Sequence, residues 1–485
     1  MAQSSSKLSS RPLSWFFIAA FALALICGLL EALETLALST KPGMLGWKTG
    51  NSVLALIAAP VVYAIIYLIA ALPFALVSRI WTGKAWDTVM VWVLLALFGY
   101  SATTLLRSWF SEFAALMLGL GLATVLTRLY QANRERWGDR LSRWALPLAI
   151  AIPIIAVGGV AIARYREKLA VKALPSAPAG APNVLLLVMD TQRADHLTSY
   201  GYPRSTTPRL ARLAAEGTSF TWASSPAVTT LPSHSSMMTG RLVREHGAGS
   251  GGRLFLDGRF PTLAEQMRSK GYLTGGFVAN TYWTGRHTGL NRGFIHYEDY
   301  YSSSMDALAR TVLGRHLAYD VFPRFGKIDI PGRKRAGAVK EELLHWVDAN
   351  PGRPFFAFLN YFDVHAPYLP VKEFAGRFSP AGSSCDRPHK IEIGAWNENA
   401  SPPDSALLTI WRDRYDESLA SMDHEIGALF DSLEARGLLK NAIVVVTGDH
   451  GESFGEHGTV HHGGTLHLEQ IHVPLILWAP GRVPA

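Results

Sequence analysis

The chain has 485 residues, 49% of them hydrophobic, which is longer than one ordinary domain and more apolar than a soluble enzyme of that length needs. Its formal net charge of +8 is unevenly spread: residues 1–172 carry 16 Lys and Arg against 7 Asp and Glu, whereas the remainder carries 30 against 31. The basic balance therefore belongs to the apolar first third and lends no support to nucleic-acid binding, while two distant cysteines, Cys27 and Cys385, exclude an outer domain stapled by its own disulfide.

In chain order, the first features are five apolar stretches, at residues 14–36, 52–78, 87–106, 109–127 and 143–163. Each is close to the ~20 residues that cross a bilayer as a helix. They predict an α-helical transmembrane bundle of five helices over residues 1–163. The first stretch has no small-residue cleavage site behind it and reads as a retained anchor. Lys7, Arg11, Arg79, Lys84, Arg128, Arg134, Arg136, Arg140 and Arg143 fall on one side, against Lys41, Lys48 and Arg107 on the other. That bias predicts a cytoplasmic N-terminus. After five crossings, everything beyond about residue 164 is expected outside: a multi-pass protein of the inner (cytoplasmic) membrane with a periplasmic or otherwise extracytoplasmic domain. Glu31, Glu34 and Glu112 are costly in lipid and are expected to face the bundle or the interface.

Residues 164–182 read as a juxtamembrane linker, "RYREKLAVKALPSAPAGAP", whose Arg164, Arg166, Lys168 and Lys172 suit anionic head groups. From Asn183 the pattern changes. "NVLLLVMD" is a buried-strand run, followed by a helical pattern in "TTPRLARLAAEG" that stops at Gly217. Helix "PTLAEQMRSKG" with strand "YLTGGFVAN", helix "AGAVKEELLHWVDAN" with strand "PFFAFLNYFD", and helix "YDESLASMDHEIGALFDSLEARG" with strand "AIVVVTGD" repeat the arrangement. Helices alternating with buried strands predict an α/β domain over 183–485, with a mostly parallel sheet between helices. Residues 376–408, rich in Ser, Pro and Asn, form an excursion from it.

Three of these strands end in chemistry-bearing residues: Asp190, then Asp363 and His365, then Asp449 and His450. In an open α/β sheet ligands bind beyond the carboxyl ends of the strands. Asp190, Asp449 and His450, with a hydroxyl oxygen as fourth ligand, suit one divalent cation, and the nitrogen donor favours zinc or manganese over calcium. Thr230 precedes Leu231-Pro232, about where a helix N-cap belongs, so the helix dipole points at it and at any oxyanion bound beside it. A free threonine hydroxyl is a weak nucleophile and needs a metal to lower its pKa. His365, His457, His461 and His462 lie in glycine- or proline-bounded loops, where an imidazole can neutralise ester oxygens or protonate a leaving group.

"NVLLLVMDTQRADHLTSYGY", "TTLPSHSSMMTGR", "GLNRGFIHYED", "FLNYFDVHAPY", "VVVTGDHGESFGEHG" and "HHGGTLHLEQIHVPLILWAPG" occur in that order. Together they resemble the sulfatase family of the alkaline phosphatase superfamily over nearly all of 181–485. The resemblance implies Asp190, Thr230, Asp449 and His450 as metal ligands, Thr230 also as nucleophile, His365 as a substrate-binding histidine and His462 as the second catalytic one, with His461 its adjacent rival. Thr230-Leu231-Pro232-Ser233-His234 stands where sulfatases carry C/S-x-P-x-R, so the formylglycine aldehyde cannot form here. Asp449-His450 replaces an Asp-Asn pair, which counts against calcium. A Thr nucleophile behind five membrane helices looks instead like envelope phosphoethanolamine and glycerol-phosphate transferases. The family continues past "VPLILWAPG" with a smaller subdomain, so a domain truncated at Ala485 is one expectation.

The expected function is a metal-dependent, sulfatase-like hydrolase of sulfate or phosphate esters, working through a covalent Thr230 intermediate. Its partners would be membrane lipids and an ester substrate of lipid or glycan type, with no nucleic acid. One alternative is an envelope phosphoethanolamine or glycerol-phosphate transferase. Another, of a different class, is an inactive sulfatase-fold scaffold.

Overall fold

The computed structural model describes residues 12–39, 52–81, 83–105, 111–299, 303–325, 329–330, 333–379 and 405–484. They fall into two compact units, one holding the apolar helices together with residues 303–321, the other holding the α/β fold. In the first, α1 (Leu13–Ser39), α2 (Ser52–Val77), α3 (Lys84–Thr104), α4 (Glu112–Ala132) and α5 (Arg134–Lys172) are all long and apolar enough to cross a membrane. The helix α5 runs through Arg164, Arg166 and Lys168, so the first part of the juxtamembrane segment is helical. Pro60 and Pro73 in α2 and Pro147 and Pro153 in α5 sit inside helices, as membrane-spanning helices tolerate.

This unit is apolar outward and partly polar inward. Ile65, Ile69, Leu146 and Val157 are exposed, whereas Tyr63, Tyr67, Ser101 and Glu31 are buried. α3 and α4 meet at glycines: a Cβ on Gly99 would lie 2.4 Å from the Gly119 carbonyl oxygen, so only small residues allow the approach. Asp87 pairs with Arg134. Two short helices, Ser304–Ala309 and Val312–His316, pack against α2, and Leu313 joins the buried cluster of Trp15, Tyr63 and Tyr67. Of the intramembrane acids, Glu31 faces inward at 1% exposure and accepts the Val312 N–H at 2.8 Å.

The α/β unit is built on a seven-stranded sheet of β1 (Asn183–Met189), β2 (Thr218–Ser219), β3 (Leu273–Val278), β4 (His296–Glu298), β5 (Phe355–Tyr361), β6 (Ala442–Gly448) and β9 (Leu475–Trp478). Their order is β2-β9-β6-β1-β5-β3-β4. The run from β6 to β4 is parallel, and β9 pairs antiparallel with β6 and with β2, giving the mostly parallel sheet that the helix-strand alternation predicts. A two-stranded ribbon, β7 (Ser453–Phe454) and β8 (Val460–His461), follows β6.

Side chains alternate across the sheet, so β1 splits its apolar residues between two cores. Leu185 and Leu187 join Leu343, Trp346, Leu419 and Ile426 of the long helices Ala336–Ala349 and Ser405–Ala435. Leu186 and Val188 instead join Leu231 and Met238 of the helix Thr230–Thr239. The result is a sheet between helical layers. The helix expected to begin near Tyr415 begins ten residues earlier in the chain, at Ser405, because "SALLTIWRDR" continues its apolar periodicity. Most of the expected excursion, with Cys385, lies outside the described residues.

Candidate active site

Parallel pairing in register brings the strand ends together. Met189 is opposite both Tyr361 and Gly448, so Asp190, the residues after Tyr361 and Asp449 emerge side by side at one sheet edge. Asp190, Asp449 and His450 are wholly buried, and their ligand atoms all lie within 4.8 Å of one another. His450 Nδ1 is 3.0 Å from the Gly451 carbonyl, an acceptor that holds the proton on Nδ1 and leaves the Nε2 lone pair facing the carboxylates. Nε2 is 3.4 Å from Asp449 Oδ2 and 3.9 Å from Asp190 Oδ1.

Those three atoms, Asp190 Oδ1, Asp449 Oδ2 and His450 Nε2, have no hydrogen-bond partner. Burial, and next the neighbouring Asp449, pushes the Asp190 carboxyl well above the usual carboxylate range, and burial pushes Asp449 up to about 8. Two carboxylates and an imidazole lone pair converging without donors form a place for positive charge. Two oxygens and one nitrogen could hold one divalent cation.

The turn that builds the site is strained. Thr191 has φ 59°, in the left-handed region that a β-branched residue avoids, and this aims its N–H at Asp449 Oδ1, 3.1 Å away. Thr230 is buried at 4% exposure, but it does not cap its helix. The extended residue before the helix is Thr229, no side chain caps it, and Thr230 is the first helical residue. Its hydroxyl lies 3.5 Å from Asn280 Nδ2, which also donates to Asp190 Oδ2 at 2.7 Å. Ser233 donates to the Asp449 carbonyl at 2.7 Å, tying the helix to the β6 end.

The histidines separate by geometry. The His462 ring lies 4.3 Å from that of His450 and 5.2 Å from that of His365. Burial, reinforced by neighbouring imidazoles, pushes both His365 and His462 well below the usual range, so both are neutral. His461, with φ 64°, packs instead against Trp411 at 5.5 Å. His457 stacks on His467 at 3.9 Å on the surface. Asp363 accepts the first N–H of the Ala336–Ala349 helix at 3.2 Å, a structural task.

The family model described as Sulfatase matches residues 182–485. The chain belongs to the sulfatase family. Curated relatives include the arylsulfatase of Hemicentrotus pulcherrimus, 26% identical over 63% of this chain and 55% of that protein, and the iduronate 2-sulfatase of Homo sapiens, 25% identical over 62% and 60%. The chain thus spans little more than half the length of these relatives. Among solved structures, it is similar to the phosphonate monoester hydrolase of Agrobacterium radiobacter (TM-score 0.49, 21% identity, 62% of this chain and 68% of that one). Another is the soluble domain of lipooligosaccharide phosphoethanolamine transferase A from Neisseria meningitidis (TM-score 0.42, 20% identity, 63% and 79%).

Within this sulfatase-family domain the sequence reading passed over three buried polar residues. Asn280 follows β3 and touches both Asp190 and Thr230. Asn360, within β5, accepts the Asn280 N–H at 2.8 Å and lies 3.4 Å from His234. His234, which burial pushes down to about 4, bonds the Thr230 carbonyl at 2.9 Å. For the two asparagines the available signal was polarity in otherwise apolar strand ends, "FVAN" and "FLNYF"; His234 was marked only by standing where sulfatases carry the arginine.

Proposed function

We propose that this chain is a membrane-anchored, metal-dependent hydrolase of sulfate or phosphate esters that works through a covalent group on Thr230, outside the cytoplasmic membrane. The observation that carries the reading is the convergence of Asp190 Oδ1, Asp449 Oδ2 and His450 Nε2, all without donors, in a site whose Asn280 amide also reaches the Thr230 hydroxyl. A divalent cation held there would lower the hydroxyl pKa and offset charge on the ester oxygens.

The chain's own groups would do the rest. Thr230 Oγ1 gives up its proton to an imidazole nitrogen of His365 or His462 and forms a bond to sulfur or phosphorus while the bond to the leaving alcohol breaks. The first turn of its helix presents N–H groups without intrahelical partners to the ester oxygens. The imidazole that has taken up the Thr230 proton passes it to the departing oxygen. Water then cleaves the Thr230 ester and restores the hydroxyl. Membrane lipids and an ester of lipid or glycan type are the partners this reading implies, and nucleic acid is not among them. The excess of Lys and Arg on one side of the apolar segments supports the orientation.

A second reading, transfer to an acceptor alcohol instead of water, is favoured by the five membrane-length helices, which are more than an anchor needs. Tandem mass spectrometry of the Thr230 peptide tests both, after incubating the detergent-solubilised chain with membrane lipid extract and zinc or manganese. An adduct on Thr230 establishes the nucleophile, and its mass names the transferred group. A chain that binds metal and forms no adduct rejects Thr230; one with neither metal nor adduct is the scaffold.

A further inference from the structure

The ribbon β7–β8 places Ser453 opposite His461 and Phe454 opposite Val460. One step further along the same register, Glu452 stands opposite His462. Glu452 Oε1 lies 3.0 Å from His462 Nδ1, with Glu452 at 0% and His462 at 9% exposure. The ribbon is held at this end. The Glu452 N–H donates to the Glu469 carbonyl at 2.9 Å, and its own carbonyl accepts Arg193 Nη1 at 3.0 Å. Gln470 bridges the two strands, donating to Ser453 Oγ at 2.8 Å and accepting from the Gly463 N–H at 3.2 Å. This is more restraint than a surface loop carries.

An ionised Glu452 only accepts hydrogen bonds, which would put the proton of the Glu452–His462 contact on Nδ1. The other nitrogen, Nε2, is on the side of the ring opposite Nδ1, and the ring centroid lies 4.3 Å from that of His450 and 5.2 Å from that of His365. The logic is that of any buried carboxylate that orients an imidazole and selects its tautomer. We propose that Glu452 is a positioning residue, which holds His462 with Nδ1 protonated so that the Nε2 lone pair takes up the proton released by the Thr230 hydroxyl and passes it to the leaving oxygen of the ester. This rests on the proposed function above, in which His462 is a candidate for that proton transfer.

The test uses the full chain in detergent, loaded with zinc, with Glu452→Ala, Glu452→Gln and His462→Ala. First, nitrogen NMR of the histidine-labelled chain reads the His462 tautomer, its signal assigned by loss in His462→Ala. The wild type is expected to carry the proton on Nδ1. Glu452→Ala is expected to lose that preference and Glu452→Gln, whose amide oxygen still accepts, to keep it. Second, kcat and KM are measured on the 4-nitrophenyl and phenyl esters of methyl phosphate and of sulfate. A phenolate leaving group needs the proton and 4-nitrophenolate needs it much less. Glu452→Ala is expected to lose about 100-fold in kcat on the phenyl esters, little on the 4-nitrophenyl esters, with KM and bound zinc unchanged. Glu452→Gln should recover part of the loss.

A wild-type His462 protonated on Nε2, or equal losses on both leaving groups, overturns the proposal, as does zinc lost with Glu452. If the wild type turns over none of the four esters and forms no Thr230 adduct, it is the proposed function that fails, and the tautomer alone then decides the role of Glu452.

Discussion

In the unit of membrane-length helices, Glu31 is 1% exposed and its Oε1 accepts the Val312 N–H at 2.8 Å. In the α/β unit Asp190 and Asp449 are as deeply buried and likewise have one bonded oxygen each, Asp190 Oδ2 to Asn280 and Asp449 Oδ1 to the Thr191 N–H, while Asp190 Oδ1 and Asp449 Oδ2 turn toward each other and toward His450 Nε2. Both sets of acids are buried, so burial by itself does not tell them apart. The difference lies in what faces the oxygen. Asp449 Oδ1 also accepts a backbone N–H, from Thr191, so one such bond does not set an acid apart; what marks a place for a cation is that Asp190 Oδ1, Asp449 Oδ2 and His450 Nε2 converge on one another.

The largest break in that comparison comes from the unsatisfied set. Asp449→Ala should abolish bound metal, measured by elemental mass spectrometry, and take ester turnover to background. Thr230→Ala should remove turnover by about 10⁴-fold or more while the chain still binds metal and melts at the wild-type temperature, since Thr230 makes no capping bond. A variant that keeps turnover would return Thr230 to a purely structural position.

Smaller effects test the acid of the helical unit. Glu31→Ala leaves the Val312 N–H without its acceptor and should cost about 1–3 kcal/mol in detergent unfolding, with turnover per folded molecule unchanged. A loss of turnover without a loss of stability would place Glu31 with the functional acids. A pH-dependent effect of similar size at most concerns His296, whose Nδ1 lies 3.4 Å from Glu167 and Nε2 3.1 Å from Glu298. Against the cost of burial, those two carboxylates raise its pKa to about 9. The folded value is above the unfolded one of ~6.5. The stabilisation is therefore complete below about pH 6.5 and lost as pH rises through about 9, a change of up to about 3 kcal/mol. Melting temperature should fall across that window in the wild type, and the fall should be shallower in His296→Gln.

Much of this was legible in the chain. Hydropathy and length located the membrane-length helices, since a segment that meets lipid on one side must be apolar nearly throughout. Buried parallel strands likewise announced themselves as apolar runs ending in Asp190 and Asp449. Other features were not legible. That Thr229 and not Thr230 precedes the first turn depends on one backbone rotation, φ −145° and ψ 152° at Thr229, which residue type does not specify. Nor did the sequence mark residues 303–321, whose short helices pack with α2 and bring Val312 to Glu31.

The sequence by itself determined the class of each region and the kinds of atoms available to it, because periodicity, hydropathy and residue chemistry are local properties. Only the tertiary structure decided which of those atoms meet. Parallel register set Asp190 beside Asp449, the β7–β8 ribbon paired Glu452 with His462 and turned His461 toward Trp411, and the β3 end brought Asn280 to Thr230. Contacts between residues 50 to 258 positions apart are fixed by strand order and pairing, and no local pattern encodes those.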